Sequence, residues 1–254
     1  MRYLFLALTL LLMPVATWAQ SRLDDIVAKG TIRVGLTGDY RPFSLLDKTT
    51  GQYAGLDVDM ANNLAESLGV KLEIVPTAWS TLLADLNGGK FDIGMGGISV
   101  NLARQKTAFF SIPVLRVGKT PIARCADKAR FQTLAQIDKP GVRVIVNPGG
   151  TNEKFDRANL KQAQIVVFPD NTKIFEELVA KRADVMITDS VETKLQQKLH
   201  PELCAIHPDQ PFDYGELAYL LPRDIVLKQY VDQWLHLAME NGTWRGRLES
   251  YLGR

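Results

Sequence analysis

Apolar and polar positions in this chain follow two different periods, which take turns along its length. Residues 31–36 (TIRVGL) alternate with the two-residue period of a strand. Residues 53–68 then place Leu56, Met60, Leu64 and Leu68 at helical spacing, and Gly69 stops the run. A second strand is expected over 71–75, a helix over 79–86 that turns at Asn87-Gly88-Gly89, and a third strand over 91–95. A short helix over 21–30 precedes them all. The same order returns later, with strands over 142–147, 164–168 and 183–188 and helices over 151–160 and 172–180. A further helix follows residue 188. A strand over 216–221 and helices over 224–239 and 243–252 complete the pattern. Strands alternating with helices predict βαβ units and parallel sheets.

Two segments resemble each other across the halves: Gly89-Lys90-Phe91-Asp92-Ile93-Gly94-Met95 and Lys181-Arg182-Ala183-Asp184-Val185-Met186-Ile187. Each is a basic turn, an Asp and an apolar strand after a helix. This weak repeat predicts an α/β fold of two similar lobes joined by two crossovers, near 113–121 and 211–217. The expected organisation is a leader over 1–19, a discontinuous lobe 1 over 20–115 and 217–254, and lobe 2 over 120–213. Ligands in such folds bind between the lobes, at the carboxyl ends of the strands.

The chain has 254 residues, 46% hydrophobic and 23% charged, which excludes a disordered tail, collagen or a coiled-coil rod. Its 30 basic and 28 acidic side chains are scattered, which argues against a nucleic-acid surface. The first residues do change the picture. Arg2, an apolar run over 3–15 and the small Ala19 have the order of an export signal cleaved after Ala19. A membrane anchor is the alternative, but the run is shorter than the roughly 20 residues a spanning helix needs. Export implies a periplasmic protein that is free of the membrane once cleaved. In an oxidising compartment Cys125 and Cys204 can pair; two buried free thiols are the other option. His200, His207 and His236 show no metal-ligand spacing. No phosphate loop, dinucleotide fingerprint or serine elbow is present.

Several motifs then carry a resemblance. Gly38-Asp39-Tyr40-Arg41-Pro42-Phe43-Ser44, Gly55-Leu56-Asp57-Val58-Asp59, Lys90-Phe91-Asp92-Ile93, Ile98-Ser99-Val100-Asn101-Leu102-Ala103-Arg104 and Phe110-Ser111-Ile112-Pro113 occur in the order seen in type II periplasmic solute-binding proteins of the amino-acid-binding kind. A narrower resemblance lies in Ile145-Val146-Asn147-Pro148-Gly149-Gly150-Thr151-Asn152-Glu153-Lys154-Phe155, Leu199-His200-Pro201-Glu202-Leu203-Cys204 and Tyr230-Val231-Asp232-Gln233-Trp234-Leu235-His236. These are similar to the periplasmic cyclohexadienyl dehydratases. That resemblance spans the mature chain. It implies an enzyme, a carbon–oxygen lyase, that converts prephenate to phenylpyruvate or arogenate to phenylalanine with no cofactor.

The resemblance also implies a site. Arg104 sits where the related binders hold a ligand carboxylate, and its planar fork suits that task. Ser99 adds a hydroxyl or backbone donor. Gly149-Gly150-Thr151-Asn152 ends a strand and opens a helix, an arrangement that favours anions; an ordinary turn with Thr151 as N-cap is the plainer account. Trp79 and Tyr40 sit where relatives place aromatics against the ligand, although core packing is the usual fate of a Trp. Asp189 matches a position that grips an α-ammonium, and Glu192 the general acid of the dehydratases. The two equally suit an N-cap and an N3 residue in a capping box. Asn147 and Lys173 are secondary candidates, the latter also readable as a solvated lysine. Gly96-Gly97 is expected to leave extra room in the cleft.

Two functions from different classes remain. One is an exported dehydratase acting on a small-molecule substrate. The other is a receptor that hands an amino acid to a transporter, for which Glu192 has no use. Fold alone does not separate them. A sensor domain is disfavoured by the lack of a second apolar span, and oligomeric state stays open.

Overall fold

A computed structural model describes residues 20–253; the expected export signal over 1–19 lies outside the described residues. Two sheets dominate. The first runs Lys71–Pro76, Thr31–Leu36, Ile93–Ser99, Gly215–Leu221 and Phe109–Phe110, with Leu115–Val117 also paired to Gly215–Leu221. The second runs Gln164–Val167, Arg143–Val146, Val185–Asp189, Lys119–Arg124 and Leu203–Ala205. The chain passes from the first sheet to the second across Gly118 alone, and returns between Ala205 and Gly215. The two connectors bond side by side: Lys119 N donates to Asp213 Oδ1 at 2.6 Å and Phe212 N to Lys119 O at 2.8 Å.

The sheets are mixed, which corrects the expectation of purely parallel ones. In each, three strands joined by helices are parallel. The strand that arrives through a connector pairs antiparallel: Lys119–Arg124 on Val185–Asp189, and Gly215–Leu221 on Ile93–Ser99. A chain entering from the neighbouring lobe comes in at the carboxyl end, so it runs against the strands already there.

Alternate residues of Gly215–Leu221 serve opposite cores. Leu217, Tyr219 and Leu221 join one cluster, Ala218 and Leu220 another. In the second sheet Val185 and Ile187 face one core and Met186 the other. Burial on both faces explains the unbroken apolar runs of these strands.

Two helices are shorter than expected. The helix assigned to 53–68 spans Leu56–Leu68, because Tyr53–Ala54 pairs instead with Ser44–Leu46 in a small third sheet that also holds Asp39–Tyr40. The helix assigned to 79–86 spans Leu82–Asn87. Trp79 thus stands in the turn before it, free to face the other lobe.

The repeat read across the halves has a structural counterpart. Arg33 N donates to Asp92 Oδ2 at 2.9 Å, and its guanidinium reaches Asp92 Oδ1 at 2.7 Å and Gly89 O at 2.8 Å. Arg143 N donates to Asp184 Oδ2 at 2.9 Å, and its guanidinium reaches Asp184 Oδ1 at 2.8 Å and Arg182 O at 2.9 Å. Each lobe is clasped by one Arg–Asp pair between neighbouring parallel strands.

Cys125 and Cys204 form a disulfide with a sequence separation of 79. Leu203–Ala205 pairs with Lys119–Arg124, with Cys204 opposite Ala123, which brings Cys204 to Cys125 just past the end of that strand. Replacing both with Ser is expected to lower the unfolding free energy by about 2–5 kcal/mol. Urea titrations of the oxidised, reduced and double-Ser proteins measure that loss; binding in the cleft should persist, since the bridge ties only elements around the second sheet.

Candidate functional site

The cleft is walled by residues from the carboxyl ends of both sheets. Ser99 ends its strand, and Gly97 lies two residues before it. Tyr40 and Trp79 add aromatic faces, 5.9 Å apart and edge-on. The second sheet contributes Asn147 just after its strand, Gly150, Thr151 and Asn152 at a helix start, and Asp189 at the end of Val185–Asp189. Asn171 completes the lining. Only about 20 Å³ of this cavity is open to the centre of a water molecule, so the lobes are shut.

Contacts across the cleft hold that closure. Tyr40 OH donates to Asp189 Oδ2 at 2.8 Å, and Ser99 Oγ lies 3.0 Å from Thr151 Oγ1. Asn171 Nδ2 donates to Asp39 O at 3.0 Å, and Lys48 pairs with Asp170 at 2.8 Å. A side chain at Gly149 would meet Ser80 Cα and N at 2.8 Å, so only glycine lets the lobes approach here. The expected extra room at Gly96-Gly97 is not found. The rings of Phe43 and Tyr40 fill the place of a Gly97 side chain, at 2.5 and 2.6 Å. The two glycines bend instead to donate N–H groups to buried Asp57 at 2.8 and 2.9 Å.

Lys119 is the centre of the site, and sequence reasoning missed it. It is buried, 6% exposed. Its Nζ donates to Asp189 Oδ1 at 2.7 Å, Asn152 Oδ1 at 2.5 Å and Thr151 Oγ1 at 3.2 Å. Three oxygen partners complete an ammonium's donor capacity. The only signal was a lone charge in the apolar stretch Val117-Gly118-Lys119-Thr120-Pro121-Ile122-Ala123.

A second chain of bonds starts at the same amide. Asn152 Nδ2 donates to Thr188 Oγ1 at 2.9 Å, and Thr188 Oγ1 donates to Glu192 Oε2 at 2.5 Å. Glu192 is 1% exposed. Burial pushes its carboxyl up to about 8; the Thr188 hydroxyl and Lys119 pull it down, and Asp189 and Asp39 push it further up. Because Thr188 spends its hydrogen on Oε2, the proton of neutral Glu192 sits on Oε1. Glu192 does not line the cavity beside Trp79. It lines a larger outer one with Asp39, Lys173 and His200, and Asn171 lines both.

The capping account of Asp189 and Glu192 is not what forms. Asp189 is the N-cap of Ser190–Leu199 but makes no side-chain cap bond. Its two oxygens are taken by Lys119 and Tyr40. Likewise the N-cap before Thr151 is Gly150, and Thr151 is the first helical residue.

Arg104 lies behind Ser99, outside the cavity lining, with Nη1 donating to Ser99 O at 2.8 Å. It is 6% exposed and has no carboxylate partner among the described residues. Burial lowers it to about 10, still charged at neutral pH. A buried, unpaired guanidinium calls for an anion. Trp79 Nε1 donates to Asp39 Oδ1 at 2.9 Å, which sets the indole plane. Lys173 stands apart, on the outer cavity only. No group of His, Cys, Asp and Glu among the described residues is arranged to hold a metal.

Comparison with known proteins agrees with this geometry. The pattern of the bacterial extracellular solute-binding proteins, family 3, matches residues 32–254. A cyclohexadienyl dehydratase of Pseudomonas aeruginosa is 61% identical over 233 residues, covering 92% of this chain and 87% of that one. A crystal structure of an ancestral cyclohexadienyl dehydratase shares 51% identity, with a TM-score of 0.60 over 93% of this chain and 98% of that one. An ancestral amino acid-binding protein described as a precursor of cyclohexadienyl dehydratase shares 36% identity, with a TM-score of 0.84 over 91% of this chain and 100% of that one.

Folding carries Glu192 from an ordinary 4.5 to about 8. Between those values the native state keeps a proton that the unfolded chain has lost, so this residue makes stability fall as pH rises through that window. Glu192→Gln has no such proton to lose. It is expected to raise Tm by a few degrees at pH 9 and to change it little at pH 4, measured by calorimetry at both.

Proposed function

The chain belongs to the bacterial extracellular solute-binding proteins, family 3, and from that membership and the buried acid at its cleft we propose an exported, periplasmic cyclohexadienyl dehydratase. It acts on prephenate, and on arogenate, between a lobe over 20–115 and 217–254 and a second over 120–213. The observation that carries the reading is Glu192, buried and kept protonated near neutral pH, with its proton directed away from Thr188. A 61% identical relative with this activity supports it.

In this reading the lobes open to admit a dicarboxylate and close on it. Arg104, Ser99, Thr151 and Asn152 take one carboxylate, with Lys119 supplying positive charge close by. Trp79 and Tyr40 wall the ring, Asn147 donates its amide N–H to the substrate, and Lys173 offsets charge at the outer edge. Glu192 gives its Oε1 proton to the ring hydroxyl, and the C–O bond breaks to release water. The ring carboxylate leaves as CO2, and its bonding pair enters the ring, which becomes aromatic. Water carries the hydroxyl and the proton from Glu192, CO2 carries the ring carboxylate, and Glu192, left ionised, regains a proton from solvent when the lobes open; no oxidant is involved.

The receptor alternative needs Asp189 free for a ligand ammonium. In the closed cleft its oxygens accept from Lys119 at 2.7 Å and Tyr40 at 2.8 Å, and a receptor has no task for the buried acid of Glu192, which favours the enzyme.

Incubating the mature protein with prephenate at pH 7 and following phenylpyruvate tests the proposal. Turnover is expected, with Glu192→Gln slower by about 10²–10⁴ in kcat, the usual worth of a positioned acid. Full activity in that variant overturns the role of Glu192. No turnover by the wild type, with tight retention of an amino acid, overturns the enzyme.

A further inference from the structure

We propose that Asn171 is a substrate-binding residue whose Oδ1 accepts the hydrogen of the ring hydroxyl that departs, an inference that rests on the dehydratase reading above. Asn171 is 4% exposed, and its Oδ1 has no partner. The amide cannot be turned over to hide that oxygen. Its Nδ2 donates to Asp39 O at 3.0 Å, and a backbone carbonyl only accepts, so the nitrogen must stay where it is. A buried carbonyl oxygen without a donor is costly, so an atom of this kind on a cavity wall points to a group that donates to it.

Its position narrows the ligand group. Asn171 lines the cavity with Trp79 and Asp189, and also the outer cavity with Glu192. It therefore stands between the ring site and the acid. The other groups near the cleft suit carboxylates: the unpaired Arg104 behind Ser99, and the hydroxyls of Ser99 and Thr151. Prephenate has one hydrogen to donate, on its ring hydroxyl. While Glu192 protonates that oxygen, the oxygen carries two hydrogens and growing positive charge. One hydrogen comes from Glu192 Oε1; the other points to Asn171 Oδ1. That second bond strengthens as the C–O bond breaks, so it stabilises the transition state more than the bound substrate.

Closure seats the group. Asn171 opens the one-turn 3₁₀ segment Asn171–Lys173, and the preceding Asp170 pairs across the cleft with Lys48 at 2.8 Å. A latch role alone would make Asn171 important for closure but not for the hydroxyl.

The test compares wild type, Asn171→Ala and Asn171→Asp in prephenate turnover, alongside phenylpyruvate binding by calorimetry. Phenylpyruvate lacks the ring hydroxyl. Asn171→Ala is expected to lower kcat about tenfold or more, with KM and the phenylpyruvate Kd within about twofold. Asn171→Asp keeps an oxygen at that point and should retain more of kcat than Ala. Phenylpyruvate binding also confirms that each variant is folded. Weakened phenylpyruvate binding with kcat unchanged would mean a latch and overturn the assignment. Unchanged kcat in Asn171→Ala, or equal losses in Ala and Asp, also overturns it. Absence of turnover in the wild type fails the dehydratase reading itself, a separate and recognisable result.

Discussion

One ammonium group, that of Lys119, organises the whole cleft. Its position follows from strand register: Lys119 is paired directly with Asp189 in the antiparallel ladder. A buried ion pair in a dry site repays its desolvation only when every remaining proton finds a partner. Here Asn152 and Thr151 take the other two protons, and Tyr40 reaches from the opposite lobe to Asp189. The charge network thus does structural and orienting work together. By holding Asn152 Oδ1, Lys119 points the amide nitrogen at Thr188, which in turn points its hydroxyl at Glu192.

The same dryness acts in opposite senses on neighbouring groups. It pushes Glu192 up to about 8 and Arg104 down to about 10. One becomes a neutral proton donor at working pH, while the other stays a cation without a counter-ion. The pairing suits a reaction in which a dianion enters and a hydroxyl must leave as water. A site open to water would leave the acid ionised and the cation hydrated, and neither would be poised.

Much of this was legible in the chain itself. The two periods located the parallel strands, Gly215–Leu221 and the longer helices, but not Lys119–Arg124, Leu203–Ala205 or the short strands; an export signal with two cysteines pointed to the bridge that forms. The motif residues Tyr40, Trp79, Ser99, Asn147, Thr151, Asn152 and Asp189 do converge on one cavity. What was hidden depends on long-range placement. Lys119 matters only through its register with Asp189, which periodicity cannot supply. The antiparallel strands follow from the route of the connectors, not from local pattern. Asp39 and Asn171 gain their roles when the lobes meet, across 132 residues of sequence. Glycine at position 97 read as empty space because nothing in the sequence placed the rings of Tyr40 and Phe43 against it.

The paired clasps, Arg33 with Asp92 and Arg143 with Asp184, sit at the amino ends of their strands, where Asp92 and Asp184 precede Ile93–Ser99 and Val185–Asp189. The cleft is built at the other ends, from Ser99, Asn147 and Asp189. Scaffold and chemistry therefore occupy opposite poles of each lobe. Substitutions at one pole can accumulate without disturbing the other, and a fold of this plan can exchange carrying a ligand for transforming it while its foundations stay in place.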